Sequence, residues 1–368
     1  MNLGLDAKRA FHNASGLGNY SRDLIRVLSK VPDLNLHLYN PKKSDFQFVP
    51  PKNCAVHYPE KVARLFTSVW RSQLVTYDLV KHGIEVYHGL SNELPEGLEK
   101  TGIKSVVTIH DLIFLRYPDL YGRIDRKIYD LKFQSACNRA DQIVAISEQT
   151  KRDLMEFWQI PENKINVVYQ GCNAIFKKKA EEDTKQKVRK NYGLPDKFLI
   201  SVGSIEPRKN LKKAVEALAL NKDLYLVAIG KHTSYQDEVR TYAEKMGVSR
   251  QLKVLNKVPS EHLPALLQSA SGMVYLSIFE GFGIPVLEGL YSNIPVITNK
   301  NGCFPEAGGP LATYVDVQDA QQITEAMSQA WNGEMIIAEN EARNKHLAKF
   351  EDEAIKDGMM AIYQSLLK

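Results

Sequence analysis

The sequence predicts an α/β protein with two domains, each built on a parallel sheet. Short apolar runs alternate with helical patterns along all 368 residues, and this order of elements is typical of parallel α/β folds. The runs are rich in valine and isoleucine and do not alternate with polar residues, as expected for strands covered on both faces. A chain of this length holds two such domains, each with its own core.

The predicted strands begin with the first residues of the chain and recur to its last third. They span residues 1–6, 84–88, 105–109, 142–146, 165–169, 198–202, 224–229, 251–255, 273–276 and 295–298. Helical periodicity marks segments between them, such as 127–140 and 210–219, and the final segment 350–367.

A polar connection separates the two predicted domains. A turn over 170–173 follows the strand ending at Tyr169, and a charged run over 177–183 precedes the next strand. The predicted domains are therefore 1–172, completed by the final helix 350–368, and 173–349. Two domains of similar size joined by a short linker predict a cleft between them.

Bulk composition narrows the class of protein. The formal net charge of +5 suits an anionic substrate or an anionic membrane surface and is too small to indicate nucleic acid. Four cysteines without a C-x-x-C pair argue against a disulfide framework or a zinc site and fit a reducing compartment. No apolar run is long enough to cross a bilayer, and the first residues lack the pattern of a secretion signal. We expect a cytoplasmic protein that attaches at most peripherally to a membrane.

Two carboxylates, Glu280 and Glu288, bracket a glycine-rich turn between a buried strand and a helix. Pro285 suits the first turn of that helix, where its missing N–H costs nothing. The arrangement aims backbone N–H groups and the positive end of the helix dipole at a ligand, most often a phosphate. We expect Glu280 at the end of the loop, facing a reacting centre, and Glu288 in the first helical turn, near a more remote hydroxyl pair. The alternative is a purely structural pair of caps.

Arg208 and Lys209 are adjacent at the start of a helix predicted to continue to Ala219. Cations oppose the dipole at that end, so they make sense if an anion lies beside them. Arginine offers a planar fork and lysine a point charge, and both suit phosphate oxygens; the alternative is a solvated surface. No P-loop motif and no Asp-x-Asp pair after a strand is present, so a departing diphosphate would be stabilised by protein cations and amides instead of a metal.

In the first domain, Gly16 and Gly18 form a G-x-G turn between the first strand and a helix predicted over 21–28. It lacks the third glycine of the dinucleotide fingerprint and is predicted as a close-approach loop near phosphates. His110 ends a strand at the ligand-binding edge of the sheet, where it could orient a sugar hydroxyl or assist a proton. A hydrogen-bonded structural histidine is the equal alternative, and His88 is a weaker case of the same signal.

These motifs resemble the retaining glycosyltransferases of family 4, closest to bacterial mannosyltransferases of polysaccharide assembly. That family has the GT-B architecture of two Rossmann-like domains with parallel sheets facing a central cleft. The resemblance covers nearly all of the chain. Glu280 to Glu288 resembles the family's E-x7-E motif, and Gly203 with 207–210 resembles its diphosphate-binding loop. Gln170 and Leu276 depart from the family's usual residues, but neither would touch the reacting groups.

The resemblance implies a role for each matching position. Glu280 would contact the donor sugar, Glu288 the ribose hydroxyls, and Arg208 and Lys209 the diphosphate. The remaining implied contacts are His110 near the transferred sugar, Gly16 and Gly18 near the diphosphate, the amides of Phe282 and Gly283 at the sugar or phosphate, and the backbone of Val258 at the base.

The reaction implied is transfer of a hexose, with retention, from a nucleotide-diphosphate sugar to a hydroxyl of a glycan or lipid-linked glycan. GDP-mannose is favoured because 110–118 resembles mannosyltransferases, with a UDP-sugar as the other choice; no metal or further cofactor is expected. The alternatives are a non-catalytic two-domain sugar-binding protein and a nucleotide-sugar epimerase. Segment 61–77, with Trp70 and Arg71, and segment 116–133 mix cations with apolar residues and could touch a membrane. Otherwise they are core helices with solvated basic faces.

Overall fold

The computed structural model describes residues 1–43, 48–335 and 340–368, without the side chains of residues 61, 62 and 340. The chain divides into two compact units, Met1–Gly171 with Lys349–Lys368, and Cys172–Ala348. The sequence places the corresponding boundaries after residues 172 and 349. Each unit is an α/β body with its own sheet and core.

Parallel strands form one sheet in the described part of the first unit. They are β1 (Asn2–Asp6), β2 (Asn35–Tyr39), β3 (Cys54–His57), β4 (Val86–Gly89), β5 (Lys104–Ile109), β6 (Gln142–Ala145) and β7 (Ile165–Val167). Their order is β3-β2-β1-β4-β5-β6-β7. The order reverses between β1 and β4, as in doubly wound nucleotide-binding folds, and ligands of such folds bind beyond the carboxyl ends of the strands.

Helices cover both faces of the first sheet and join its strands. They are α1 (Lys8–His12), α2 (Gly16–Leu28), α3 (Thr67–Val69), α4 (Val75–Lys81), α5 (Ile113–Arg116), α6 (Arg123–Arg139) and α7 (Glu148–Trp158), with single turns at Lys61–Leu65, Trp70–Leu74, Leu98–Lys100, Pro118–Leu120 and Glu162–Lys164.

The carboxyl-terminal helix, Asp352–Leu366, belongs to the first unit. Arg26 on α2 holds Asp352 through two hydrogen bonds of 2.5 and 2.7 Å. At the other end of the helix, the hydroxyl of Tyr363 lies 2.7 Å from His88 Nδ1 on β4. The first contact ties the helix to α2 and the second ties it to the sheet of the first unit.

The second unit repeats the same topology. Its described strands are β8 (Leu199–Val202), β9 (Leu226–Ile229), β10 (Leu252–Leu255), β11 (Gly272–Tyr275), β12 (Val296–Asn299) and β13 (Thr313–Val315), all parallel in the order β10-β9-β8-β11-β12-β13. Its helices are α8 (Glu182–Asn191), α9 (Leu211–Leu220), α10 (Ser234–Lys245), α11 (Leu263–Leu267), α12 (Ile284–Tyr291), α13 (Phe304–Gly308), α14 (Ala320–Asn332) and α15 (Asn340–Leu347). Single turns lie at Ala174–Lys177, Pro207–Lys209, Ser260–His262 and Gly309–Leu311, and a further one at Ala348–Phe350 follows α15.

The predicted fold class is confirmed, and each predicted strand overlaps a strand of the structure. Strands β2, β3 and β13 were not predicted from the sequence. Strand β2 alternates polar and apolar residues because its sides differ in burial, while β3 and β13 are short edge strands with half-exposed residues. Within the described residues no helix is both long and apolar enough to span a bilayer.

Candidate active site

Three loops meet at the carboxyl edge of the second sheet, after β8, β11 and β12. The amide of Ile278 donates to the carbonyl of Arg208 at 2.9 Å, which ties the loop after β11 to the loop after β8. The side-chain amide of Asn299, at the end of β12, donates to the carbonyls of Ser277 and Ile278, both at 3.1 Å. Because parallel strands end at one edge, these loops bring residues distant in sequence into one cluster.

Glu280 is the centre of this cluster. Its Oε2 lies 2.6 Å from Arg208 Nη1, and its Oε1 accepts from Lys209 Nζ. Oε1 also accepts from Ser277 Oγ at 2.6 Å and from the Tyr275 hydroxyl at 3.0 Å. The three charged side chains are only 14–18% exposed, so these ion pairs are shielded from solvent.

Tyr275 and Glu206 complete the charged cluster, and neither residue was predicted from the sequence to belong to it. Lys209 Nζ donates to the Tyr275 hydroxyl at 2.8 Å, so the phenol positions both the lysine and Glu280. Arg208 Nη2 donates to Glu206 Oε1 at 2.7 Å, and Nη1 donates to the carbonyl of Phe279 at 2.6 Å. The position of Tyr275 at the end of a predicted strand was the available signal.

The electrostatics of the cluster follow from burial and pairing. Burial alone would raise the pKa of Glu280, but the charges of Lys209 and Arg208 outweigh it and lower that pKa to about 2. Burial also lowers the pKa of Lys209, an effect reinforced by the charge of Arg208 and opposed by Glu280. For Arg208 the attraction of Glu280 outweighs burial and raises the pKa. Glu280 is therefore a firmly ionised carboxylate at neutral pH.

Arg208 and Lys209 do not begin the following helix, so this part of the prediction is wrong. They lie in the separate turn Pro207–Lys209, and α9 begins at Leu211. Asn210 breaks the helix with a left-handed φ of 60° and donates from its side chain to the carbonyl of Val317 at 2.8 Å. The cations thus project from a loop toward Glu280 instead of opposing the dipole of α9.

Glu288 lies in the second turn of α12, and the prediction of the first turn is wrong. The helix begins at Ile284 after Gly283, whose φ of 103° is a conformation that favours glycine. Pro285 lies in the first turn as predicted. Burial raises the pKa of Glu288 to about 7. No donor of the described residues lies within hydrogen-bonding distance of its carboxyl group, which leaves that group available to a ligand hydroxyl.

Gly16 and Gly18 do not form a loop, so the predicted turn is wrong. Helix α2 begins at Gly16 and includes both glycines. A Cβ at Gly18 would lie 1.8 Å from the carbonyl oxygen of Asn13, and Arg22 donates to that same oxygen at 2.8 Å. Gly18 therefore allows the close packing of α2 against the preceding loop, whereas the position of Gly16 faces open space.

His110 follows β5 in the first unit and is buried. Its Nε2 lies 2.9 Å from the carbonyl of Leu90, so Nε2 carries the proton and Nδ1 is left as an acceptor. Burial lowers the pKa of His110 to about 4, which keeps the ring neutral at physiological pH. His88 differs because both its nitrogens are engaged, by Tyr363 at 2.7 Å and Thr108 at 2.8 Å. The structural interpretation therefore holds for His88.

The remaining predicted contacts, at Val258 and Phe282, lie in loops that follow strands of the second sheet. Val258 follows β10 and is half-buried, next to an exposed Lys257 whose φ is 56°. The ring of Phe282 is buried in the protein, so any ligand contact there would come from its backbone.

Two residues of segment 61–77 are not part of a surface, contrary to the membrane interpretation. Trp70 is buried, and Arg71 is an internal cation 2.6 Å from both Asp6 and Glu93. The side chain of Lys61 lies outside the described residues.

Comparison with known proteins agrees with this architecture. The domain family described as Glycosyltransferase Family 4 matches residues 14–174, and the one described as Glycosyl transferases group 1 matches residues 182–354. A glycosyltransferase from Rickettsia africae superposes with a TM-score of 0.75 at 16% identity, covering 100% of this chain and 98% of that one. Anabaena HepE, solved with UDP and glucose, superposes with a TM-score of 0.73 at 16% identity and 99% coverage of both chains.

Curated relatives align over most of the chain. The O-antigen chain mannosyltransferase RfbU of Salmonella typhimurium is 25% identical over 362 residues, 96% of both chains. The O-antigen chain mannosyltransferase B of Escherichia coli is 22% identical over 328 residues, 84% of this chain and 85% of that one. The fold and the two family matches thus define a glycosyltransferase of GT-B architecture. The chain belongs to the family 4 glycosyltransferases with a group 1 second domain.

Proposed function

We propose that this enzyme transfers a hexose, with retention and without a metal, from a nucleotide-diphosphate sugar to a hydroxyl of a glycan or lipid-linked glycan. GDP-mannose is the favoured donor and a UDP-sugar the other choice. The mannose assignment is supported by the two relatives named as O-antigen chain mannosyltransferases. The choice of a nucleotide sugar is supported by HepE, whose structure contains UDP and glucose.

The observation that carries this proposal is the buried pairing of Glu280 with Arg208 and Lys209 at the carboxyl edge of β8 and β11. Two adjacent cations are held by one carboxylate, and an anionic ligand could replace that carboxylate as their partner. A diphosphate would engage the cations, together with the first N–H groups of α12, and Glu280 would then turn toward the sugar. A guanidinium and an ammonium that are already positioned stabilise the charge that develops on the leaving diphosphate.

The same geometry favours a departing phosphate oxygen as the base that accepts the acceptor's proton. With a pKa lowered to about 2, Glu280 holds a proton poorly and is a weak general base at neutral pH. Its Oε1 already accepts from Lys209, Ser277 and Tyr275, which also makes covalent attack on the sugar the less favoured route. Proton transfer to the phosphate on the face that the acceptor approaches gives retention.

The other residues have supporting roles in this proposal. The unpartnered carboxyl of Glu288 would bind the ribose hydroxyls, and Nδ1 of His110 would accept a hydrogen bond from the transferred sugar. Three further contacts would be made by backbone groups, namely the amides of Gly16 and Gly18 in the first turn of α2, the amides of Phe282 and Gly283, and the backbone of Val258.

A donor screen tests the proposal. Purified protein is incubated with GDP-mannose, UDP-glucose and UDP-galactose, with and without a lipid-linked glycan acceptor, and the product is examined by mass spectrometry and NMR. We expect a mannosylated product of retained anomeric configuration from GDP-mannose, at a rate unchanged by EDTA. Conversion of a donor without any acceptor would indicate an epimerase, and donor binding without product from any acceptor would indicate a binding protein.

We also propose that the first unit touches an anionic membrane. Three exposed apolar residues, Ile124, Ile128 and Leu131, lie on one face of α6 at spacings of four and three residues, beside the exposed Lys127 and Lys132. Such a face suits partial insertion among lipid headgroups. Further exposed apolar side chains lie in segment 61–77, namely Leu65, Phe66, Val69 and Tyr77.

Liposome flotation tests the membrane contact. Wild type should float with vesicles of anionic lipid at low salt, and the double variant Ile124→Ser with Leu131→Ser should float less. Leu220→Ser is the matched control because Leu220 is an exposed leucine at the end of α9, in the other unit. Equal flotation of wild type and the double variant would contradict the role of α6.

A further inference from the structure

A cluster of three histidines lies at the edge of the first sheet and takes no part in the proposed reaction. His37 on β2, His57 on β3 and His82 after α4 each offer one ring nitrogen, and these nitrogens all lie within 4.8 Å of one another. His37 Nδ1 is 3.0 Å from His57 Nε2. All three side chains are half-buried, so the cluster is structured yet open to small solutes.

The pairing of β2 with β3 creates this cluster. Tyr39 is directly opposite His57 in the parallel register, and His37 lies on the same face as Tyr39 because side chains alternate along a strand. His82 follows the last turn of α4 and stacks on His57 with ring centroids 4.0 Å apart. Three separate elements therefore place imidazoles together, in a pattern with no short sequence spacing.

We propose that His37, His57 and His82 bind one first-row transition-metal ion, with zinc as the first choice. Imidazole nitrogens are preferred ligands of zinc, nickel and copper. Zinc–nitrogen bonds of about 2.0–2.1 Å in a tetrahedral site hold ligand nitrogens about 3.3 Å apart. The 3.0 Å between His37 and His57 is already close to this separation, and small side-chain rotations would bring His82 into place. A water molecule would occupy the fourth position.

Tyr39 supplies the outer contact that such a site needs. Its hydroxyl lies 2.9 Å from His82 Nδ1. If the phenol oxygen accepts the Nδ1 proton, Nε2 of His82 keeps its lone pair for the metal. Metal-binding histidines commonly donate their second nitrogen to a neighbouring oxygen in this way, which fixes the ring. The ion would then join the edge strand β3 to β2 and α4.

Metal binding is measured on the full-length protein after tag removal and treatment with EDTA. Isothermal titration with zinc chloride should show one site per chain with a dissociation constant in the micromolar range or below. His37→Gln, His57→Gln and His82→Gln should each weaken binding at least tenfold. Tyr39→Phe should weaken it less, because it removes only the outer contact.

His262→Gln is the matched control. His262 is half-buried in the second unit, and its Nδ1 lies 2.8 Å from the hydroxyl of Tyr192, as His82 contacts Tyr39. This variant should bind zinc like wild type. Circular dichroism of the metal-free variants shows whether each one folds, and cobalt in place of zinc gives visible bands that distinguish histidine from cysteine ligands.

The binding measurements and the cobalt spectrum together test the proposed metal site. Loss of binding in the folded cluster variants alone, with a cobalt spectrum free of thiolate charge-transfer bands, supports the site. Dissociation constants in the millimolar range for wild type, equal weakening in His262→Gln, or unchanged binding in a folded variant lacking all three histidines would overturn it. None of these measurements uses turnover, so they are independent of the proposed glycosyl transfer.

Discussion

The two sheets share one topology, but their carboxyl edges differ in charge. In the first unit one cation, Arg71, lies between two carboxylates, Asp6 at the end of β1 and Glu93 after β4. Beside it is a buried chain of neutral hydrogen bonds that includes His88, Thr108 and Tyr20. In the second unit the edge carries ionised groups, with Glu280 between Arg208 and Lys209. Each edge lies where ligands of such folds bind, and two cations around one carboxylate suit an anionic ligand better than one cation between two carboxylates.

The largest expected effect comes from neutralising the central carboxylate. Glu280→Gln removes the carboxylate that the two buried cations share and leaves Lys209 without an anionic partner, and we expect the folded second unit to lose about 3–5 kcal/mol. Saturating GDP or UDP should restore part of this loss, because the diphosphate supplies the missing anion. Thermal unfolding with and without each nucleotide measures both effects.

Glu238→Gln is the control for this variant, since Glu238 is paired with Lys212 at the exposed surface and should contribute little. In wild type the nucleotide must displace Glu280, so it should raise the melting temperature less than it does in Glu280→Gln. An equal nucleotide shift in the two proteins would contradict competition between Glu280 and the diphosphate.

Removing either cation should reduce turnover next most strongly. Arg208→Ala and Lys209→Ala should each lower kcat/KM by about 10²–10³, the usual effect of losing one group that stabilises charge in the transition state. Lys212→Ala is the control, because this lysine lies just beyond the pair, is 35% exposed, and contacts Glu238 and the ring of Tyr235 instead of Glu280. Steady-state kinetics are measured on folded variants. Values of kcat/KM within threefold of wild type for Arg208→Ala and Lys209→Ala would exclude the assigned role.

The sequence identifies these charged residues better than it predicts the side chains and loops that surround them. Glycine, proline and paired charges mark Glu280 and Arg208. Ser277 and Tyr275 reach Glu280 through the local path of the loop after β11, and Lys209 reaches Tyr275 because the loops after β8 and β11 meet. The start of α2, by contrast, has a local signal. Ser15 directly precedes Gly16 and is a residue type that commonly precedes a helix, which would have indicated the start of α2.

Other features lie beyond local pattern altogether. Strand β3 is half-exposed and at an edge, so it lacks the continuous apolar run by which the inner strands were predicted. The cluster of His37, His57 and His82 depends on the pairing of β2 with β3, which no spacing of residues reveals. Burial of Glu288 likewise depends on how α12 packs, so the raised pKa could not be foreseen.

Glu288 should make the free energy of unfolding fall as the pH rises. The lowered pKa of Glu280 has the opposite effect, because that carboxylate stabilises the folded state when it is ionised. Its pKa is about 7 in the folded protein against 4.5 for an ordinary glutamate. The folded state therefore holds a proton that the unfolded chain releases, so stability is greatest below pH 4.5 and falls as the pH rises to about 7. The full loss is at most about 3 kcal/mol, at 1.36 kcal/mol per unit.

Glu288→Gln removes this titration. The variant and wild type should unfold at similar temperatures at about pH 5, and the variant should unfold at a higher temperature at about pH 8. Exposed Glu325→Gln is the control. If Glu288 also binds ribose hydroxyls, its variant should bind the nucleoside diphosphate about tenfold more weakly, as expected for one lost hydrogen bond to a charged group. Identical pH profiles for Glu288→Gln and wild type would contradict the inference.

The smallest expected effect lies in the neutral hydrogen-bonded chain of the first unit. Tyr363→Phe removes the hydroxyl that lies 2.7 Å from His88 Nδ1 and leaves that buried nitrogen without its partner. We expect a cost of about 1–3 kcal/mol, located where the carboxyl-terminal helix meets β4. Hydrogen exchange should therefore accelerate in Asp352–Leu366, while the amides of β8 and β11 in the second unit keep their protection. Exposed Tyr77→Phe is the control and should change neither. Faster exchange in both units, or none in the helix, would show that the hydrogen bond to His88 does not hold the end of the chain to the sheet.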